Sequence, residues 1–168
     1  AIIDFEGIGV SEGEARALTQ RLTSEIISLE MYQIVERSEM KRLLDEQKFQ
    51  YSGCVDITCA VDIGKLIGAK YMVVGSISKL GNAFSLDSRM ISVETGESYI
   101  SATYTVEGKI EKIIKYGMKS LAYQLCELEP PKISPITKLT DTLNNNRYII
   151  GGVSVLIWMA WGMNWITF

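Results

Sequence analysis

The stretch "AKYMVVGSISKLGNAFSLDSRMISVETGESYISATYTVE", residues 69 to 107, decides the fold. It opens on a nearly continuous apolar run of strand length, the pattern of a strand in the middle of a sheet. "LGN" turns the chain, "AFSLDSRMISVE" alternates, "TG" turns it again, and "ESYISATYTVE" alternates once more. The expectation is a three-stranded antiparallel meander, against which the remaining elements must bury their apolar sides.

Upstream, Ala1 to Phe5 reads as a first strand. Ser11 to Glu14 is an S-x-x-E capping box, and Ala15, Leu18, Leu22, Ile26 and Leu29 follow at intervals of three and four, so a helix starts there. Met31 to Val35 is the expected second strand, parallel to the first through a βαβ unit. Ser38 caps a short charged helix, "SEMKRLLDEQ", with Met40, Leu43 and Leu44 turned inward, and a third helix runs from about Thr58 to Ile67, stopped by Gly68. After the meander, Lys109 to Cys126 carries Ile110, Ile113, Ile114, Gly117, Met118, Leu121 and Leu125 along one side of a last helix.

These elements give an α/β sandwich: a mixed sheet of about five strands in the order β-α-β-α-α-β-β-β-α, with helices packed on it, plus a C-terminal transmembrane helix. The last feature rests on "YIIGGVSVLIWMAWGMNWITF", Tyr148 to Phe168, which has no charge and holds Trp158, Trp161 and Trp165 within one arc of a helix. Between them, "EPPKISPITKLTDTLNNNR" contains every proline of the chain and no clear period. The expected organisation is an α/β domain at 1–128, a linker at 129–147 and a membrane-anchoring helix at 148–168. "AIIDFEG" starts as a strand with no leader before it, as in a chain whose beginning has been left out.

Composition narrows the chemistry. A net charge of −3 with interspersed signs gives no basic stripe, which argues against nucleic acid. The absence of His removes the usual general base and the commonest zinc ligand. Ser76 and Ser78 therefore have no triad partner, and Asp4, Asp45, Asp56, Asp62 and Asp87 are scattered without paired spacing. "GIGVSEG", with Gly7, Gly9 and Gly13, follows a strand and precedes a helix, but it fits neither phosphate-loop pattern, and Glu6, Glu12 and Glu14 would repel a phosphate. No catalytic, cofactor or metal residues are expected, no small-molecule substrate, and no enzymatic activity.

Cys54 and Cys59 stand five apart before the third helix. The C-x4-C spacing departs from the C-x-x-C of redox centres, and a metal site would need a second pair. A disulfide across the loop and two free thiols both remain open, with metal or redox chemistry a weaker third reading. Cys126 reads as a buried thiol.

"VERSEMKRLLDEQKF" after the second strand, "IGKLIGAKYMVVGSI" at the third, and "RMISVETGESYISATYT" across the last hairpin resemble the curli production assembly/transport component family over about residues 1 to 127. Val35-Glu36-Arg37-Ser38 and Val93-Glu94-Thr95-Gly96-Glu97 are the most specific segments. The resemblance implies an α/β sandwich in the bacterial envelope, related in fold to the periplasmic lipoprotein activators of penicillin-binding proteins and to the N-terminal domain of the Tol system's B protein.

The curli channel of that family inserts membrane hairpins near the ends of its antiparallel strands. Here those positions are Leu80 to Asn82 and Glu107-Gly108, too short for a membrane strand of about 9 to 11 residues. The resemblance therefore implies the periplasmic domain without the pore. A periplasmic setting favours Cys54–Cys59 as a disulfide, although Lys138 and Arg147 before the apolar tail vote weakly for a cytoplasmic domain. The implied role is a non-enzymatic envelope protein of the curli assembly/transport type. It would act on envelope proteins or like subunits, through a meander face left open by helices on one side and through the Ser52 to Thr58 loop. The alternative is a regulatory domain that activates an envelope enzyme.

Overall fold

The computed structural model describes residues 1–46 and 56–130. Its elements run β1 (Glu6–Ile8), α1 (Glu12–Ser28), α2 (Arg37–Glu46), α3 (Ile57–Leu66), β2 (Tyr71–Leu80), β3 (Ala83–Ser92), β4 (Ser98–Glu107), a π-helical turn (Ile113–Gly117) and α4 (Met118–Leu125). The sheet order is β1-β2-β3-β4, parallel between β1 and β2 and antiparallel through the meander.

Local chemistry sets the helix starts. The Ser11 hydroxyl accepts from the Glu14 N–H at 3.2 Å, and Glu14 reaches back to the Ser11 N–H at 2.8 Å, the reciprocal capping box read from the sequence. Asp56 caps α3 by accepting from the Cys59 N–H at 2.7 Å. Between β2 and β3 only Gly81 and Asn82 intervene, with Gly81 at φ 60° in the left-handed region. Leu80 to Asn82 is thus a tight turn, and at the second position where the curli channel carries a hairpin β4 ends at Glu107, with Gly108 at φ 111° leading toward the last helix.

Alternation on β2 and β3 divides the core between the two faces of the sheet. On one face Val73, Ile77, Phe84, Leu86 and Met90 meet Leu18, Leu22 and Ile26 of α1 and Met118, Leu121 and Leu125 of α4. On the other, Met72, Ile91 and Val93 meet Met40 and Leu44 of α2 and Ala60, Val61 and Ile63 of α3. Each fully buried aliphatic side chain, such as Leu22 or Ile63, contributes about 1.5–3 kcal/mol relative to its exposed state. Helices therefore lie on both faces, where the sequence had suggested one.

The expected sheet of about five strands is corrected to four among the described residues. Met31 to Val35, expected as the second strand, forms no strand. Glu30 adopts a left-handed φ of 55° directly after α1. Tyr32 and Ile34 then pack on one core cluster and Val35 on the other. The alternation that looked like a strand serves a segment wedged between two cores. β1 instead takes β2 as its parallel partner, across all three intervening helices. Of the expected first strand, Ala1 to Phe5, only an isolated bridge of Ile2 to Val73 forms, and the strand itself lies just beyond it at Glu6–Ile8.

The C-terminal transmembrane helix of the expected fold is not supported: among the described residues no helix is long and apolar enough to cross a membrane. Tyr148 to Phe168, with Trp158, Trp161 and Trp165, lies outside the described residues, as does the linker from residue 131 onward.

Candidate functional site

Of the carboxylates singled out for chemistry, three have a structural occupation. Asp4 pairs with Arg37 and lies 3.9 Å from Arg16; Asp56 is a helix cap; Asp87 accepts from the Ser85 hydroxyl at 3.0 Å. Asp45 and Asp62 are exposed on α2 and α3. Among the described residues no group of His, Cys, Asp and Glu could hold a metal ion. At the glycine-containing turn, the first turn of α1 is already occupied by the Glu14 carboxylate. Bonds from the Ser11 N–H and hydroxyl hold that carboxyl below its ordinary value, so an arriving phosphate would meet negative charge.

Cys54 and the rest of residues 47–55 lie outside the described set, and with them the expected loop surface and the expected Cys54–Cys59 disulfide; Cys59 is half-buried in the first turn of α3. Cys126 is a free thiol at the end of α4, 3 % exposed, and burial pushes its pKa up.

What the structure does bring together is a polar sheet surface. The side of β3 that carries Ile91 and Val93 under α3 also carries Arg89, Asp87 and Ser85, which are exposed or half-buried. Arg89 faces Val74 and Ser101, Asp87 faces Ser76 and Thr103, and Ser85 faces Ser78 and Thr105. One face thus changes within a single step of the strand from a covered apolar half to an open half of hydroxyls with the guanidinium of Arg89 and the carboxylates of Asp87, of Glu6 beside Ser76 and of Glu107 beside Ala83, flanked by exposed Ile8. Ser76 and Ser78, weighed in the sequence as nucleophiles, are parts of this surface.

The outer edge of the sheet is β4, and it is closed at its centre by a side chain. The Thr103 N–H donates to Oε1 of Gln124 at 3.2 Å, and Nε2 of Gln124 donates to the Thr103 carbonyl at 3.0 Å and to the Ser120 hydroxyl at 3.1 Å. Nothing in the sequence pattern marks Gln124, because the contact requires α4 to lie along β4. Arg37 was noticed only as part of a family word; its guanidinium joins the start of α2 to the first strand through Asp4. The other family word is a turn: Gly96 at φ 73° donates to the Ser92 carbonyl at 2.8 Å.

Among solved structures, the LpoB C-terminal domain from Salmonella enterica is 21 % identical over 63 % of this chain and 80 % of that one, with a TM-score of 0.52. The same domain from Escherichia coli is 19 % identical over 63 % and 79 %, with a TM-score of 0.54. Lipoprotein GNA1162 from Neisseria meningitidis is 9 % identical over 99 % and 96 %, with a TM-score of 0.54. At these identities the likeness is one of fold. No curated protein matches the chain. Residues 5–106, more than half of the 168, match the family model described as curli production assembly/transport component CsgG. The chain belongs to the curli production assembly/transport component CsgG family.

Proposed function

We propose that the chain is a non-enzymatic protein of the bacterial envelope whose α/β domain, residues 1–128, works in the periplasm by binding other envelope proteins or like subunits. The observation that carries this reading is the open half of the sheet face around Asp87 and Arg89, in a chain of an assembly and transport family. A hydroxyl-covered sheet with the guanidinium of Arg89 among the carboxylates of Glu6, Asp87 and Glu107 suits a polar contact, in which rim charges fix register and packing fixes area. In this reading Cys54 and Cys59 form a disulfide, which a periplasmic setting preserves.

The experiment is photo-cross-linking in cells from a reactive residue placed at Arg89 or Ser101, with Gln20 on the exposed side of α1 as control. Protein adducts from the two sheet positions and not from the control support the reading; equal labelling from all three overturns it. A parallel alkylation of Cys54 and Cys59 before and after reduction tests the compartment, and thiols that react without reduction count against the periplasm. Adducts confined to one envelope enzyme would favour the second role, a domain that regulates such an enzyme.

A further inference from the structure

Met118, Leu121, Ala122 and Leu125 are fully buried and define the inward direction of α4. Counting back from them at about 100° per residue, a continuous α-helix would place Ile114 within about 30° of that direction and Ile113 about 130° away, toward water. The structure has the two reversed: Ile113 is 0 % exposed and Ile114 47 %. The cause is the π-helical turn, Ile113–Gly117, after which the Met118 N–H donates to the Ile113 carbonyl five residues back. One residue more than an α-helix needs is accommodated there, so the residues before it are rotated by about one step of 100°.

Two adjacent residues thus compete for one place in the core. Both are isoleucine, so the core receives the same side chain in either register. Gly117, inside the wide turn, lies against the sheet so closely that a Cβ would stand 2.9 Å from Cδ1 of Leu86 and 3.0 Å from Cδ1 of Tyr104. A glycine inside a helix also lowers the cost of leaving α geometry. Against the change stand two local contacts. Nζ of Lys112 donates to the Glu107 carbonyl at 2.9 Å and ties the helix start to the end of β4. In a continuous helix Lys112 would point about 130° from the core direction, and Glu111, now exposed, would come within about 30° of it. These costs make the π register the resting one, while equal filling of the core keeps the other within reach.

We propose that the start of the last helix is a two-register device. When the π turn passes out of the helix, residues 110–113 rotate, Ile114 takes the core place of Ile113, and the bond from Lys112 to the end of β4 is released. Gly108, at φ 111°, and Lys109 take up the extra residue in the turn before the helix. Ile114 is presented outward in the resting register and stowed in the other, so its exposure and the tie to β4 change together. The inference goes beyond the proposed function and holds whether or not the open face binds envelope partners.

The test is thiol alkylation of the folded full chain, read peptide by peptide in a mass spectrometer. Ile113→Cys weakens the claim of position 113 on the core, so Ile114 should move in and the introduced thiol should react at least about tenfold faster than the buried Cys126 thiol. Ile113→Cys combined with Ile114→Ala removes the replacement, and the introduced thiol should be protected again. A thiol at 113 that stays protected in the single variant, or that reacts equally in both variants, overturns the proposal. Should Ile113→Cys lose its cooperative melt, relaxation dispersion on the parent chain reads the same exchange, because helix register shifts fall in the microsecond to millisecond range. Exchange at amides 110–117 that Ile114→Ala abolishes supports the proposal; no exchange there, or exchange indifferent to Ile114→Ala, overturns it.

Discussion

Arg37 and Asp4, 33 residues apart, meet through both terminal guanidinium nitrogens and both carboxylate oxygens, one of these contacts measuring 2.5 Å. The pair fastens the first turn of α2 to the chain just before β1, at the place where a fifth strand was expected and none forms. Arginine alone offers the planar fork this contact uses.

Arg37→Ala should therefore lower stability by about 1 kcal/mol, the modest value of a bidentate pair whose side chains remain over a third exposed. Arg37→Lys should recover little of it, because an ammonium cannot make the paired contact. Urea unfolding of the three proteins checks both statements; full recovery by lysine would mean that charge alone matters here.

Gly75 lies under the ring of Phe5. A Cβ there would stand 2.5 Å from the Asp87 carbonyl oxygen and 2.8 Å from two ring carbons. Gly75→Ala should cost roughly 1–3 kcal/mol through overpacking. By contrast, Gly13 sits on the exposed side of α1 with only the Ser11 hydroxyl 4.0 Å from such a Cβ. Gly13→Ala should raise stability by about 0.5–1 kcal/mol. Thermal melts of the pair should move in opposite directions.

The Glu14 carboxyl lies below its ordinary value of 4.5 because the Ser11 N–H and hydroxyl bond its ionised form. A carboxyl whose pKa is depressed on folding adds stability that is fully present above the unfolded value and is lost as pH falls through the folded one. Glu14→Gln should flatten the acid side of the stability curve below pH 4.5, leaving the slope above it unchanged. A curve identical to that of the parent chain would separate the capping box from acid stability.

The Cys126 thiol is buried between α4 and the core and is pushed toward its protonated form. In the folded chain at neutral pH it should resist iodoacetamide, and it should react at an ordinary rate once urea passes the unfolding midpoint. Mass spectrometry of the Cys126 peptide across the denaturant series reads this directly.

The meander and the four helices were legible in the sequence because each shows its own period, bounded by residues that stop it. Ser11 with Glu14 and the Gly81-Asn82 turn left little choice. Met31 to Val35 misled because alternating apolar residues look the same in a strand and in a segment packed against two cores at once. The polar surface was only half legible: hydroxyls at every second position of "SYISATYT" announce an open face, but that α3 covers one half of it depends on a three-helix crossover. Gln124 was invisible, since a side chain that bonds to a strand edge carries no spacing rule.

That crossover, with β1 and β2 paired in parallel although some seventy positions separate Glu6 from Ser76, also sets an order of events. The neighbouring strands β2, β3 and β4 are joined by short turns and can pair soon after they exist, whereas the opening strand must close a very long loop before it gains a partner. Of the four strands, the one made before the others is thus the one locked in last. Until then the freshly exposed side of β2 is the domain's weakest moment, and pulse-labelled amides on Ile3 and Gly7 should gain protection later than those on Leu86 and Tyr104.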